Sequence, residues 1–163
     1  MAEYRIVSPT SIRIRDLQQA TDIRGLHTLF KNEGCIESEN KFSDEEKAIA
    51  LDDIQTRLAK KNHTNKQASA DMLLCIANNK YLLADAKFRQ ENVKNISPTE
   101  LRQKYDGSIS IVLSDDITFA NAFYVLFKSR ILKDSQRRLL KQKFAGSPKF
   151  RFVNAIEFKA LFE

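Results

Sequence analysis

The chain has 163 residues, of which 27 are basic and 21 acidic, so its formal net charge is +6. A hydrophobic fraction of 42%, with only four glycines and three prolines, is typical of one globular domain and excludes disordered and collagen-like chains. No uncharged apolar stretch approaches the roughly 20 residues that span a bilayer. The start lacks the basic-then-apolar pattern of a secretory signal, so we expect a cytoplasmic protein with no membrane contact.

The cysteine and histidine content excludes two common ways of stabilising a small domain. Cys35 and Cys75 are too few for a disulfide framework, and Cys75 lies in an apolar run that favours a reduced, packed thiol. With two histidines and no Cys-x-x-Cys pair, the chain offers no spacing for a structural zinc site.

The first half of the chain predicts an N-terminal extension over residues 1–42, packed on a core over residues 43–163. The apolar spacing from Ile12 to Phe30 indicates one or two short helices, and residues 31–42 read as a connection. Ser43 is a candidate N-cap, and Glu46 three residues later completes a capping box. This pattern predicts a helix from Ser43 to about Lys61.

Two apolar runs, Ala70 to Ala77 and Tyr81 to Phe88, predict a β-hairpin whose turn is Asn78-Asn79-Lys80. Both faces of these strands are apolar, so we expect helices on both sides of the sheet. The next segment predicts a helix from Ser97-Pro98 to Gly107 and a buried strand over Ser108 to Leu113. An apolar helix is predicted from Asp116 to Ile131, with Phe119, Phe123 and Phe127 on its apolar face. A basic helix to Phe144 and a strand from Phe150 to Phe158 complete the predicted elements. The order indicates an α/β fold with one central mixed sheet flanked by helices.

Two acidic residues interrupt the apolar pattern of the hairpin. If Ala77 pairs with Tyr81, Asp71 lies opposite Lys87, and Asp71, Asp85 and Lys87 share one face of the sheet. Buried carboxylates need a compensating partner, and oxygen ligands of this kind suit a hard divalent ion such as magnesium. A turn of two or four residues would instead put Asp71 on the other face. The alternative is structural, with Asp71 opening a strand and Asp85 bound to Lys87 by a salt bridge.

Asp71, followed after thirteen residues by Asp85-Ala86-Lys87, resembles the bipartite motif of the PD-(D/E)XK nuclease superfamily. That superfamily has the restriction endonuclease-like fold. Its members commonly place a further acid on a helix before the hairpin, and Glu46 is the position that matches best. The chain departs from the family pattern in two ways: Ala70 replaces the proline, and only a short loop separates the predicted helix from Asp71, which leaves little room for the first core strand.

The resemblance implies a metal-dependent endonuclease that hydrolyses phosphodiester bonds, with DNA favoured over RNA. Asp71, Asp85 and the carbonyl of Ala86 would hold Mg²⁺ or Mn²⁺, Glu46 would complete the shell, and Lys87 would orient the attacking water. A homodimer or a larger complex is compatible with this function. The alternatives are a catalytically inactive module that binds nucleic acid or protein, and an effector or toxin domain of a larger protein.

The positive charge is concentrated in residues 128–151, which hold nine basic residues against one acidic residue. This segment therefore carries more than the net charge of the whole chain. Such a cluster suits phosphate contacts with nucleic acid, although a charge run can also be a solvated helix face. The candidate contact residues are Lys128, Arg130, Lys133, Arg137, Arg138, Lys141 and Lys143.

Overall fold

In a computed structural model that describes residues 2–9, 22–112, 118–147 and 149–163, six strands form one mixed sheet. The strands lie side by side in chain order, and they are β1 (Ile23–Gly25), β2 (Lys47–Ile49), β3 (Met72–Ile76), β4 (Lys80–Ala86), β5 (Thr118–Phe127) and β6 (Phe150–Asn154). The pairs from β1 to β4 are antiparallel, whereas β4, β5 and β6 run parallel. The carboxyl ends of these three strands therefore share one edge with the start of β3.

In the described residues, five α-helices cover the two faces of the sheet, and they are α1 (Leu26–Asn32), α2 (Leu51–Asn62), α3 (Pro98–Ser110), α4 (Asp134–Lys143) and α5 (Ala155–Ala160). Helices α2, α3 and α4 pack on one face through residues such as Ile54, Leu101 and Leu140. Helices α1 and α5 pack on the other through Phe30 and Phe158. The prediction of an α/β fold with a central mixed sheet flanked by helices is thus confirmed.

The predicted hairpin is present, but its turn lies one residue earlier than expected. The turn is Ala77-Asn78-Asn79, and Asn78 and Asn79 adopt the left-handed conformation that asparagine tolerates. Ile76 pairs with Lys80 and Met72 with Ala84. The next pair in this register is Asp71 with Asp85, not Asp71 with Lys87. Because the shift is two residues, the expected faces of the side chains are unchanged.

The predicted helix start at Ser43 is wrong. Ser43 does donate its backbone N–H to the Glu46 carboxylate at 3.1 Å, but the two residues lie in a turn. Lys47–Ile49 then forms β2, which pairs with both β1 and β3, and the helix begins only at Leu51. The strand next to β3 thus precedes α2, whereas we expected it between the predicted helix and Asp71.

The predicted apolar helix around Phe119 is also wrong, because this segment is strand β5. Phe119, Phe123 and Phe127 are spaced by four, which places them on one face of a helix and equally on one face of a strand. In β5 they lie with Val125 against α2, α3 and α4, while Ala122 and Leu126 face α1 and α5. The predicted N-cap Asp116 lies outside the described residues. The stripe is core, as expected.

Two other boundaries move. Gly107 does not end α3, which continues to Ser110, so the predicted strand from Ser108 is wrong over its first residues; its end at Leu113 lies outside the described residues. The last strand stops at Asn154, where the Asn154 and Glu157 side chains form a capping box that starts α5. The basic helix was predicted correctly as α4.

The described part of the N-terminal 42 residues takes part in the sheet and in the layer that covers it. Strand β1 pairs with β2, and Leu26 and Phe30 of α1 are buried. Of the short helices expected between Ile12 and Phe30, the part up to residue 21 falls outside the described residues. The expectation is wrong at Ile23–Gly25, which form β1, and is confirmed from Leu26, where α1 begins. None of the described helices is long and apolar enough to cross a membrane.

Candidate active site

Asp71 and Asp85 meet at the edge of the sheet where β3 begins and β4 ends. The backbone N–H of Asp71 donates to Oδ1 of Asp85 at 3.2 Å, and the N–H of Ala86 donates to Oδ2 of Asp71 at 2.8 Å. The Asp85 side chain is fully buried. The register of the hairpin therefore brings the two carboxylates of the predicted motif together on adjacent strands.

The proximity of these acids alters the ionisation of Asp71. Burial raises its pKa to about 8, and the carboxylates of Asp85 and Glu33 act in the same direction. The hydrogen bond from Ala86 and the ammonium of Lys104 oppose this shift without cancelling it. A proton or a cation bound at this position reduces the repulsion between the two crowded carboxylates.

Two lysines supply positive charge to the acid pair. Lys87 was predicted to share the face of Asp85, and its Nζ lies 3.5 Å from Oδ2 of Asp85 and equally far from Oε1 of Glu100. Lys104 was not predicted. Its Nζ lies 3.0 and 2.9 Å from the two Asp85 oxygens. Burial lowers the pKa of Lys104, but the Asp85 carboxylate more than offsets this, so the pKa is raised overall.

Lys104 reaches the site because α3 crosses the face of the sheet on which Asp85 lies. The helix begins where the Ser97 hydroxyl accepts the N–H of Glu100, with Pro98 in its first turn. Leu101, one turn before Lys104, is buried in the same core as Leu83. The spacing of three from Leu101 is the one sequence signal that could have placed Lys104 on the inward side.

Glu33, which directly follows α1, is a second residue that the sequence did not single out. It is half-buried, and burial and then the Asp85 carboxylate raise its pKa. Glu33, at the C-terminal end of α1, is thus electrostatically coupled to both Asp71 and Asp85.

Glu46, the predicted third acid, lies elsewhere. Its carboxylate pairs with Nζ of Lys159 at 3.1 Å. Ile49 pairs with Leu73, so Glu46 is level with the turn end of the hairpin, roughly 17 Å along the strands from Asp71. The expectation that Glu46 completes a metal shell with Asp71 is therefore wrong, because the chain forms strand β2 where a helix was predicted.

The basic segment divides into paired and exposed residues. Lys128 and Arg130 both pair with Glu91, Arg137 pairs with Glu157 at 2.7 Å, and Lys143 donates to the carbonyls of Lys94 and Ile96. The remaining three candidates, Lys133, Arg138 and Lys141, are exposed, and no ion pair joins them to a described residue. Helix α4 covers the face of the sheet that carries Asp85.

The donors at the acid pair fit the divalent metal that the resemblance implies. Asp71, Asp85 and the Ala86 backbone supply oxygens, and the Ala86 N–H already faces Asp71, so its carbonyl lies on the same side of β4. The crowding that raises the Asp71 pKa is what a hard cation would relieve. In the described parts of the chain, no three His, Cys, Asp or Glu side chains are grouped closely enough to bind a metal by themselves.

Comparisons with models of protein families, with curated proteins and with solved structures found no match to this chain. The functional interpretation therefore depends on the geometry of the acid pair and on the motif that it carries.

Proposed function

We propose that the protein is a metal-dependent nuclease of the PD-(D/E)XK type that hydrolyses phosphodiester bonds, with DNA as the preferred substrate. The observation that carries this proposal is the contact between Asp71 and Asp85 on adjacent strands, with Nζ of Lys87 3.5 Å from Asp85. A structural role explains Asp85 and its lysine partners. The Asp71 carboxylate accepts the N–H of Ala86, but this bond offsets only part of the cost of crowding a second carboxylate against the first, and a bound cation would offset the rest.

The side chains divide the work of phosphodiester hydrolysis. Asp71, Asp85 and the carbonyl of Ala86 would hold Mg²⁺ or Mn²⁺, which when bound neutralises charge on the scissile phosphate and lowers the pKa of a bound water. Lys87 would orient the attacking water, because its ammonium is a compact charge with three donors. Its side chain is only 15% exposed, so its charge is poorly screened by solvent.

Glu33 would take, through water, the role that the sequence assigned to Glu46. Burial, and after it the Asp85 carboxylate, raises the pKa of Glu33, and its position at the end of α1 resembles that of the family's acid on a helix before the hairpin. Lys104 balances the buried Asp85 carboxylate in the protein alone. Because it contacts both oxygens of Asp85, Lys104 must give up one of them when a cation binds.

The exposed residues of α4 are the proposed nucleic-acid contacts. Lys133, Arg138 and Lys141 are free of described ion pairs, and α4 lies on the same face of the sheet as Asp85. Lys128, Arg137 and Lys143 instead hold the fold together through Glu91, Glu157 and the carbonyl of Ile96. The cytoplasm remains the proposed compartment, consistent with two buried free thiols.

The proposal is tested by incubating the protein with single-stranded, duplex and branched DNA and with RNA, in Mg²⁺, Mn²⁺ or chelator. We expect cleavage that needs metal and is lost, by at least about a hundredfold, in Asp85→Asn and Lys87→Ala. Asp106→Asn, an exposed acid on α3, is the matched control and keeps full activity. Cleavage that survives the chelator or both site variants contradicts the proposal.

A second candidate is favoured by one observation. Nζ of Lys104 lies 3.0 and 2.9 Å from the two Asp85 oxygens, and a lysine in the place where a metal would contact the carboxylate is the arrangement expected of a catalytically inactive binding module. This candidate predicts that the protein binds nucleic acid with unchanged affinity in metal and in chelator and cleaves none of the substrates. The same assay therefore separates the two candidates.

A further inference from the structure

A cavity of about 300 Å³ opens on the face of the sheet opposite to the Asp85 side chain and extends from the hairpin turn to the middle of β5. Its lining comes from the N-terminal segment, the end of β3 and the hairpin turn, the first residue of β4, and residues of β5 and β6. Binding cavities for small molecules begin at roughly this volume. The cavity is therefore large enough for a small ligand and is not used by the proposed nuclease chemistry.

A β-bulge shapes the floor of the cavity. Tyr81 pairs with Phe119 and Leu83 pairs with Phe123, so the single residue Leu82 lies opposite three residues of β5. Those three residues, Ala120, Asn121 and Ala122, all line the cavity. Bulges re-aim side chains and recur beside binding sites, and the two alanines leave space above the sheet that larger side chains would fill.

The charge of the lining is strongly positive. Arg5, Lys80 and Arg151 come from three separate segments of the chain, whereas Glu3 is the one acid in the lining. Asn78 and Asn121 add side-chain amide groups that can donate hydrogen bonds. An anion bound at this concavity would lie in the combined positive field of these side chains.

Two contacts fix the position of these cations. The N–H of Ala77 donates to the carbonyl of Arg5 at 2.9 Å, and Ile6 forms a bridge with Ile76, so the N-terminal segment is held against the hairpin. Lys80 is the first residue of β4 and pairs with Ile76. The cationic side chains therefore project from backbone that is hydrogen-bonded in place.

We propose that this cavity is a binding site for a phosphate group, separate from the acid pair. Lys80 and Asp85 lie five residues apart on β4, roughly 17 Å, and their side chains project from opposite faces of the sheet. A phosphate held by Lys80 is thus not the phosphate that Lys87 would contact. The site stands whether or not the protein is a nuclease.

Two sources can supply this phosphate, namely a free phosphate or nucleotide and the terminal phosphate of a nucleic-acid strand. Calorimetric titrations at low salt with inorganic phosphate, with a nucleoside 5′-monophosphate, and with oligonucleotides carrying a 5′-phosphate or a 5′-hydroxyl separate them. A preference for the 5′-phosphorylated oligonucleotide that depends on Lys80 identifies the strand end. Equal affinity for the two oligonucleotides, together with binding of inorganic phosphate, identifies the free ligand.

The decisive variants are Lys80→Met and Arg5→Met, which each remove one charge from an exposed side chain. We expect each to weaken the binding of inorganic phosphate about tenfold, because each removes one charge-assisted hydrogen bond. Lys60→Met, an exposed residue of α2 outside the cavity, is the matched control and binds phosphate normally. Thermal unfolding of each variant verifies that the fold is intact. No phosphate binding to the parent protein, or binding by both Lys80→Met and Arg5→Met that is as tight as that of the parent, overturns the proposal.

Discussion

Asp85 is the residue on which the candidate site depends, and because its carboxylate is fully buried, neighbouring groups must neutralise its charge and donate hydrogen bonds to it. A buried carboxylate is tolerated only when it is paired and hydrogen-bonded. Asp85 meets this condition through Lys104, Lys87 and the N–H of Asp71. Lys104 is the closest of the two lysines, so it has the larger effect on the stability of the protein alone.

Removing that partner gives the first prediction at this scale. We expect Lys104→Met to lower the free energy of unfolding by roughly 3 kcal/mol, because it leaves the buried Asp85 carboxylate paired with Lys87 alone, at 3.5 Å. The exposed pair of Lys66 with Asp52 is the matched control, and Lys66→Met should cost less than about 1 kcal/mol. Urea unfolding at pH 7 measures both. Equal losses in the two variants would show that Lys104 does not stabilise Asp85.

Asp71 gives a prediction for pH dependence. Its pKa rises from 3.8 in the unfolded chain to about 8 in the native protein, so the native state holds a proton that the unfolded chain has released. Stability from this group therefore falls as pH rises from about 4 to about 8. Asp71→Asn should remove this fall and exceed the parent in stability by on the order of 5 kcal/mol at pH 9, with little difference at pH 4.

The measurement is urea unfolding at pH 4, 6 and 9. Asp106→Asn, on the exposed side of α3, serves as the control and should follow the parent at each pH. A parent protein whose stability does not decline relative to Asp71→Asn above pH 6 would contradict the raised pKa.

At the scale of elements, α3 shows why a glycine is not always a helix stop. Gly107 lies inside the helix, where an added Cβ would collide with the carbonyl oxygen of Ala68. The loop before β3 therefore approaches α3 more closely than any other residue type would allow. The neighbouring contacts, from Gln55 to the Gly107 carbonyl at 3.0 Å and from Ala70 to Ser108 at 2.9 Å, depend on this approach.

We therefore expect Gly107→Ala to destabilise the protein by at least about 2 kcal/mol, although alanine is favoured over glycine by about 1 kcal/mol in an ordinary helix. Gly146→Ala is the control, because a Cβ there meets no atom within 4 Å. Thermal unfolding of both variants tests the expectation. A Gly107→Ala protein as stable as its parent would mean that the loop can move away from α3 at little cost.

Strands β2 and β5 are two segments where the sequence pattern predicted a helix and the structure has a strand. Strand β2 has three residues, which are too few to show an alternation of apolar and polar side chains. The hydrogen bond between Ser43 and Glu46 that a capping box requires is present, but it lies in a turn and not at the start of a helix. In β5 both faces are buried, so apolar residues occupy every position from Ala122 to Phe127 and no alternation distinguishes strand from helix. Both errors arise because pairing with distant strands decides these segments.

At the scale of the whole molecule, the basic residues separate into those that are exposed and those that are bound to acidic or carbonyl groups of the protein. The segment 128–151 holds nine of the basic residues, but Lys128, Arg137 and Lys143 are engaged with Glu91, Glu157 and the Ile96 carbonyl. The charge available to a partner is thus smaller than the sequence suggests, and it lies on the exposed side of α4.

Arg138→Glu with Lys141→Glu should therefore weaken binding to a 30-base-pair DNA and reduce the magnitude of its salt slope by about 2, one for each lost phosphate contact. Fluorescence anisotropy between 50 and 200 mM salt measures this. Lys47→Glu with Lys60→Glu, which reverses two exposed charges elsewhere, is the matched control. An equal loss in the control pair would mean that DNA responds to net charge alone and that α4 is a solvated face.

The sequence by itself determined the hairpin, the shared face of Asp71, Asp85 and Lys87, and the start of α3, because these follow from local turn chemistry, alternation and capping. It also located the basic helix α4 through composition. Only the tertiary structure decided that Lys104 contacts Asp85, that Glu33 is electrostatically coupled to the acid pair, that Glu46 lies far from it, and that residues 118–127 form a central strand. Each of these outcomes is fixed by contacts between segments far apart in the chain, and such contacts leave no periodic signal in the sequence.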